Sequence, residues 1–90
     1  MSKKLYIFGT GGFAKEVFFL AKQCQKDIAG FIDLNTEQTI YGHKVKSEDA
    51  FDPTQHLAIV AVGNPELRKK IVNKTCISRQ NLVEEGHFDI

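Results

Sequence analysis

The stretch KLYIFGTGGFA, residues 4–14, decides the fold that this sequence predicts. Residues 4–8 form a short run rich in aromatic and β-branched side chains, and glycines end it, which favours a buried strand over a helix. From Phe13 to about Gln25, apolar residues recur at helical spacing and form a stripe that can face a sheet. A strand, a glycine-rich turn and a helix in this order predict the start of an α/β domain.

The next apolar run, DIAGFID at residues 27–33, predicts a second strand. It completes a βαβ unit of about thirty residues with parallel strands and a right-handed crossover, because only that hand packs the helix back onto the sheet. Residues 40–45, with Gly42 inside, predict a short strand at a sheet edge. Residues 47–51 predict one helical turn, since a serine precedes two acidic residues.

The most apolar segment, LAIVAV at residues 57–62, predicts a central parallel strand covered on both faces. Residues 64–66, Asn-Pro-Glu, then combine a capping side chain, a proline suited to the first helical position and an acid in the first turn. We therefore expect a helix to about Thr75, and residues 81–83 as a last strand. The side chains that this helix should bury are Leu67, Ile71 and Val72.

Together these elements predict a small Rossmann-like three-layer α/β domain, with a short parallel sheet flanked by helices. Ninety residues suffice for one such domain, so residues 1–90 are expected to form a single unit. The N-terminal apolar run is too short for a signal peptide or a membrane span, and we expect a cytoplasmic protein.

Composition argues against several classes of function. The formal net charge is +1 with both signs mixed along the chain, which gives no field to recruit nucleic acid or an anionic membrane. Cys24 and Cys76 are expected to be buried thiols, because free cysteine behaves as a small hydrophobe. His43, His56 and His87 lack metal-ligand spacing and are expected to be solvated. With no nucleophile-histidine-acid or paired-carboxylate pattern, the sequence predicts a binding site without catalytic residues.

The glycine-rich turn GTGGFA, residues 9–14, matches the pattern G-x-G-x-x-G/A between a predicted strand and a predicted helix. Gly9 makes the tight turn, Gly11 lets the backbone approach a phosphate, and Ala14 allows close packing. Gly12 would permit backbone angles closed to other residues. Free N–H groups at the helix start, with the positive end of its dipole, predict a site for a diphosphate or another anion. The alternative is a tight turn that binds nothing.

Three further residues lie where this fold binds ligands. Asp33 ends the second strand, where this fold commonly has an acid that contacts a ribose hydroxyl or a base. The alternative is that Asp33 is an ordinary surface acid. Gly63 and Asn64 end the next parallel strand. Asn64 is expected either to cap a helix and also line the ligand crevice, or to act as a helix cap alone. The basic run at residues 68–70 is expected to be solvated, because consecutive helical positions point to different sides.

Three segments in this order resemble the N-terminal domain of the sialic-acid and bacillosamine-pathway sugar acetyltransferases. They are KKLYIFGTGGFAKEV at residues 3–17, GFID at 30–33 and VAVGNPELRKKI at 60–71. The resemblance implies a Rossmann-like domain that holds a nucleotide-sugar substrate, commonly a UDP-linked amino sugar. In that family a C-terminal left-handed β-helix of hexapeptide repeats follows, forms trimers, and carries acetyl-CoA and the catalytic histidine.

The resemblance also assigns substrate-binding residues. It implies that Gly9, Thr10, Gly11 and Gly12 approach the substrate diphosphate, and that Asp33, Gly63 and Asn64 lie near the nucleoside. Phe13 stands where the family often has histidine, so this side chain would meet the sugar without a histidine's polar contact.

The sequence contains no hexapeptide repeat. We therefore expect the substrate domain alone, without the β-helix, binding no acetyl-CoA and transferring no acyl group by itself. In the full-length family, a sugar amine or hydroxyl would attack the acetyl-CoA thioester with a base from the other domain. Two alternatives stay open: a free-standing dinucleotide- or CoA-binding module, regulatory or redox, and a scaffold domain without a ligand that uses the aromatic face of its first helix.

Overall fold

The structure, a computed structural model, describes residues 3–75 and Leu82. Its elements along the chain are β1 (Lys4–Phe8), α1 (Gly12–Gln23), β2 (Ile28–Ile32), β3 (Thr39–Ile40), β4 (His43–Lys44), a 3-10 turn (Glu48–Ala50), β5 (His56–Val60) and α2 (Pro65–Thr75). The predicted strands at both ends of the βαβ unit, both helices and the helical turn are confirmed, with boundaries shifted by one or two residues.

The main sheet has three parallel strands in the order β2, β1, β5, with β1 in the centre. The chain places β2 on one side of β1 and β5 on the other, so the strand order reverses at β1. Two hydrogen bonds continue the pairing past the strands, from Gly9 N to Ile32 O at 2.9 Å and from Ala61 N to Phe8 O at 2.9 Å. The carboxyl ends of all three strands therefore meet at the reversal point, where open α/β sheets bind ligands.

Each face of the sheet is covered, which makes the domain three-layered as predicted. On one face α1 packs against strand side chains that include Ile7, Phe31 and Ile59. Phe18 of α1 stacks on Phe31, with ring centroids 5.5 Å apart. On the other face lie α2 and the segment after the 3-10 turn, whose Phe51 meets Phe8 edge to face at 5.2 Å. The two helices thus approach the same sheet from opposite sides.

β5 has parallel partners on both sides, as expected for a central strand. Ala58, Ile59 and Val60 are buried, so both faces of the strand are covered as predicted. β5 pairs with β1, the middle strand of the three-stranded sheet, and on its other side Ala58 forms an isolated parallel bridge with Leu82. The rest of the predicted last strand lies outside the described residues.

Residues 40–45 form a hairpin and not the single strand that the sequence predicts. β3 and β4 pair antiparallel around Tyr41 and Gly42, whose φ angles are +50° and +82°. Positive φ at both central residues is the signature of a two-residue hairpin turn. The segment after β4 then bonds to the end of β2, where Asp33 N donates to Lys46 O at 3.0 Å.

The two histidines that the structure describes are less exposed than predicted, and the cysteine is less buried than predicted. His43 is half-buried with its ring 5.6 Å from that of Phe18. His56 is half-buried too, and its Nδ1 accepts the Asp52 N–H at 2.9 Å. Both were expected to be solvated, and their ring contacts explain the difference. Cys24 is half-buried at the edge of the α1 core. The predictions for Cys76 and His87 fall outside the described residues.

The start of α2 confirms its predicted cap. Asn64 Oδ1 accepts the N–H groups of Glu66 at 2.9 Å and Leu67 at 3.2 Å, and Pro65 is the first helical residue. Ile71 and Val72 are half-buried against the sheet, whereas Leu67, expected to be buried, is 46% exposed. Leu67 instead lines the cavity described below.

Substituting Asn64 with alanine is expected to lower the free energy of unfolding by about 1 kcal/mol, since two helix N–H groups lose their acceptor. Asn64→Asp keeps an acceptor oxygen and adds a favourable charge at the helix start, so it should retain wild-type stability. Urea denaturation followed by circular dichroism measures both variants. Equal stability of Asn64→Ala and the wild type would show that the cap contributes nothing.

Candidate ligand-binding site

A cavity of about 770 Å³ opens at the carboxyl ends of β1, β2 and β5. The residues predicted to bind a ligand that line it are Gly9, Thr10, Gly11, Gly12, Phe13, Asp33 and Gly63. Asn64 is not among the lining residues, and its side-chain oxygen caps α2. Topology brings these residues together, since each follows a strand that ends at the same edge of the sheet.

The three glycines of the turn have different structural roles. Gly9 has φ +116°, and a Cβ there would lie 2.8 Å from Ala61 O, so the turn itself requires glycine at this position. Gly12 was predicted to adopt angles closed to other residues, but it is the first residue of α1 and its φ lies outside the positive region. A Cβ at Gly11 or Gly12 would meet nothing within 4 Å. The fold therefore uses the special freedom of glycine at one of these three positions.

The N-terminus of α1 has no capping side chain. Gly11 occupies the cap position, and no acidic residue lies in the first turn. Gly11 O accepts the Lys15 N–H at 3.1 Å, while the N–H groups of Gly12 and Phe13 have no acceptor among the described residues. Their partial positive charges add to the helix dipole at the edge of the cavity. By contrast, the start of α2 is closed by Asn64.

Asp33 is held in place from two sides. Thr10 Oγ1 donates to Asp33 Oδ2 at 2.7 Å, and Leu34 N donates to Asp33 Oδ1 at 2.6 Å. This arrangement links the glycine turn to the end of β2. Each carboxylate oxygen keeps a further lone pair for a hydroxyl or N–H of a ligand. The Thr10 proton serves Asp33, so Thr10 positions the acid, a role that the sequence did not reveal.

The wall opposite β2 comes from α2 and was missed by the sequence analysis. Its lining residues are Leu67, Lys70, Ile71 and Lys74, which share one helical face because they are spaced by three and four residues. Lys69 and Lys70 are exposed, as predicted for the basic run, whereas Arg68 is half-buried. Lys70 also lines the cavity, and Lys69 lies outside it. The spacing of 67, 70, 71 and 74 was the available signal.

Charged groups of the 3-10 turn complete the cavity. Ser47, Glu48 and Asp49 line it, and Lys74 Nζ lies 3.5 Å from Glu48 Oε2, which joins α2 to the turn. Within residues 3–75 and at residue 82, no three histidine, cysteine or acidic side chains come close enough to hold a metal ion. Nor does any helix of this part of the chain have the length and apolar character needed to cross a membrane.

Large apolar side chains also surround the opening. Phe13, Leu34 and Leu67 are 37%, 91% and 46% exposed, and all three line the cavity. In the part of the chain that the structure describes, the other exposed aromatic residues are Phe19 and Tyr41, whose ring centroids lie 5.0 Å apart on the α1 side of the domain. Apolar side chains grouped around one opening are typical of a ligand-binding groove.

A parallel sheet with helices on both faces, a glycine turn after its central strand and a cavity at the strand-order reversal define a Rossmann-like domain. The family described as the PglD N-terminal domain matches residues 4–75, and the chain belongs to that family. The resemblance drawn from the sequence is thereby confirmed. Among curated proteins, none matches the chain.

Two similar solved structures are of the acetyltransferase domain of PglB from Neisseria gonorrhoeae FA1090. One, in complex with acetyl coenzyme A, is 28% identical with a TM-score of 0.70 over 84% of this chain. The other is 30% identical with a TM-score of 0.69 over 83% of this chain. This chain spans 40% of the length of each.

Proposed function

We propose that this domain binds the nucleotide-sugar substrate of a sugar acetyltransferase, with a UDP-linked amino sugar as the expected ligand. One observation carries the proposal: the cavity at the strand-order reversal joins an uncapped helix N-terminus to a fixed carboxylate. The first suits a diphosphate, and the second suits the hydroxyls of a ribose or the N–H groups of a base.

The diphosphate is assigned to the start of α1. The N–H groups of Gly12 and Phe13 lack acceptors among the described residues, and they lie at the positive end of the helix. Open space at the Cβ positions of Gly11 and Gly12 leaves room for phosphate oxygens against the backbone. Neither glycine is required by its φ angle, and the absence of their side chains lets a ligand approach the backbone.

The nucleoside is assigned to the side of Asp33 and Gly63. Asp33 is ready to accept hydrogen bonds, because Thr10 and Leu34 already fix its orientation and so reduce the entropy lost on binding. Phe13 and Leu67 supply apolar surface for a base or a sugar ring. The cavity of about 770 Å³ lies in the size range of small-molecule sites, roughly 300–1,000 Å³.

The dinucleotide alternative fits this sheet less well. NAD is bound across two mononucleotide halves of a doubly wound sheet. The described part of the chain supplies one βαβ unit and one further parallel strand, β5, on the other side of β1. One nucleotide linked to a sugar matches this smaller framework.

Acetyl transfer is proposed for the longer proteins that carry this domain. The similar PglB structure contains acetyl coenzyme A, and this chain spans 40% of it. The acetyl donor and the base are assigned to the remainder of such a protein, where a sugar amine or hydroxyl attacks the thioester carbonyl and releases CoA. The trimeric β-helix domain and the cytoplasmic location stay predictions from the sequence.

Titration of the ¹⁵N-labelled chain with UDP is expected to shift the amide resonances of residues 9–14 and 33, because these line the proposed diphosphate and nucleoside positions. NAD at the same concentration should shift them far less. The amides of Phe19 and Tyr41, on the α1 side of the domain, serve as an internal control. Amide shifts produced by NAD and not by UDP would contradict this proposal and favour a dinucleotide-binding domain.

A further inference from the structure

The cavity walls carry an unfavourable charge balance for an anionic ligand. Among residues 3–75 and 82, five ionisable side chains line the cavity: Asp33, Glu48, Asp49, Lys70 and Lys74. Three carboxylates against two ammonium groups leave a formal charge of −1. The N-terminus of α1 offsets only about half a unit of this charge. A further cation that is free to contact a diphosphate would therefore strengthen its binding.

Lys70 is the cation available for this role. Lys74 is already engaged by Glu48 at 3.5 Å. Among the residues that the structure describes, Lys70 is the lining cation without a carboxylate partner. It is exposed on the cavity face of α2, between Leu67 and Lys74, so its ammonium group can reach a ligand without first breaking an ion pair.

Geometry places Lys70 and the uncapped helix end on different walls. α1 and α2 pack on opposite faces of the sheet, and both reach the cavity at the carboxyl ends of the strands. A phosphate group bound there would lie between backbone N–H groups on the α1 side and an ammonium group on the α2 side. A neutral nucleoside offers the ammonium group hydroxyl and carbonyl oxygens but no negative charge.

We propose that Lys70 binds a phosphate of the nucleotide-linked ligand and sets the preference of the cavity for phosphorylated over neutral nucleosides. This proposal rests on the proposed function. Lys70 acts as a specificity-determining residue, and the acidic lining makes its charge decisive: without it, the cavity walls would carry a formal charge of −2.

The test compares Lys70→Met, which removes the charge and keeps much of the apolar stem, with Lys69→Met as a matched control. Lys69 is adjacent on the same helix, exposed and outside the cavity. Calorimetric titration with UDP and with uridine measures each protein. Lys70→Met should weaken UDP binding about tenfold, the scale of one charge-assisted hydrogen bond, and leave uridine binding unchanged. Lys69→Met should match the wild type, and Lys70→Arg should restore most of the UDP affinity.

The outcomes separate this inference from the proposal beneath it. If the wild type binds UDP and Lys70→Met binds it equally well, the role of Lys70 is overturned and the proposed function stands. If Lys70→Met loses uridine and UDP alike, the residue supports the cavity wall and does not read phosphate. A wild-type chain that binds neither UDP nor a UDP-sugar overturns both. Thermal denaturation of each variant confirms that it is folded.

Discussion

Replacing Gly12 with valine is expected to lower the affinity for UDP by about 100-fold while leaving the domain folded, since two charge-assisted hydrogen bonds would be lost. The Cβ of a residue at this position meets nothing within 4 Å, and Gly12 is the first residue of α1 with an ordinary φ. A branched side chain therefore fits the fold. It fills the space in front of the free N–H groups of the first turn, which is where the diphosphate is assigned.

Calorimetric titration with UDP measures this loss, and urea denaturation measures the stability of the same samples. Gln23→Val is the matched control, because it places the same side chain on an exposed neutral position of α1 outside the cavity. Gly12→Ala should fall between the two in affinity. Wild-type affinity in Gly12→Val would contradict the diphosphate assignment and favour a scaffold domain, whose contact surface would be the Phe19 and Tyr41 side of α1.

Replacing Gly9 with alanine is expected to lower the free energy of unfolding by about 2–4 kcal/mol, because two penalties act at one position. Its φ of +116° is a conformation that side chains with a Cβ rarely adopt, and the new Cβ would lie 2.8 Å from Ala61 O. That oxygen belongs to backbone fixed by the hydrogen bond from Ala61 N to Phe8 O. The contact therefore cannot relax without disturbing the pairing of β1 and β5.

Urea denaturation gives the stability of Gly9→Ala beside that of Gly12→Ala. The second variant adds the same methyl group three residues later in a helical, open position, so its stability should equal or slightly exceed that of the wild type. This difference in stability would show that the fold requires glycine at position 9 but not at position 12, where the requirement comes from the ligand. Equal stability in both variants would mean that the turn adapts, and that the strain inferred at Gly9 is absent.

Local patterns predicted most of the fold. The apolar run of β1, the helical stripe of α1 and the cap at Asn64 each depend on residues close in sequence, and each was found. The hairpin was missed because its turn has tyrosine at φ +50°, where asparagine or aspartate is the usual signal. Strand order was not predicted, because β1 and β5 look alike as sequences and differ only in their neighbours.

The residues of the site likewise fall into those that local patterns predict and those that only the structure shows. Gly9, Gly11 and Asp33 carry local signals, a turn pattern and an acid at a strand end, and the structure brings them to one cavity. The bond from Thr10 to Asp33 joins residues 23 apart, and no pattern in either segment announces it. Lys70 reaches the cavity only because α2 packs on the sheet in a particular rotation. Contacts that depend on tertiary packing, such as these two, could not be predicted from the sequence.

The cap at Asn64 has a consequence for how a molecule can lie in the cavity. Because the amides that open α2 are occupied, an elongated guest with one charged segment meets a single electropositive helix end and not two. The pocket is therefore directional: turning such a guest end for end would move its charge from open amides to the carboxylate of Asp33. A molecule whose charge lies nearer one end than the other is therefore held in one orientation by this asymmetry.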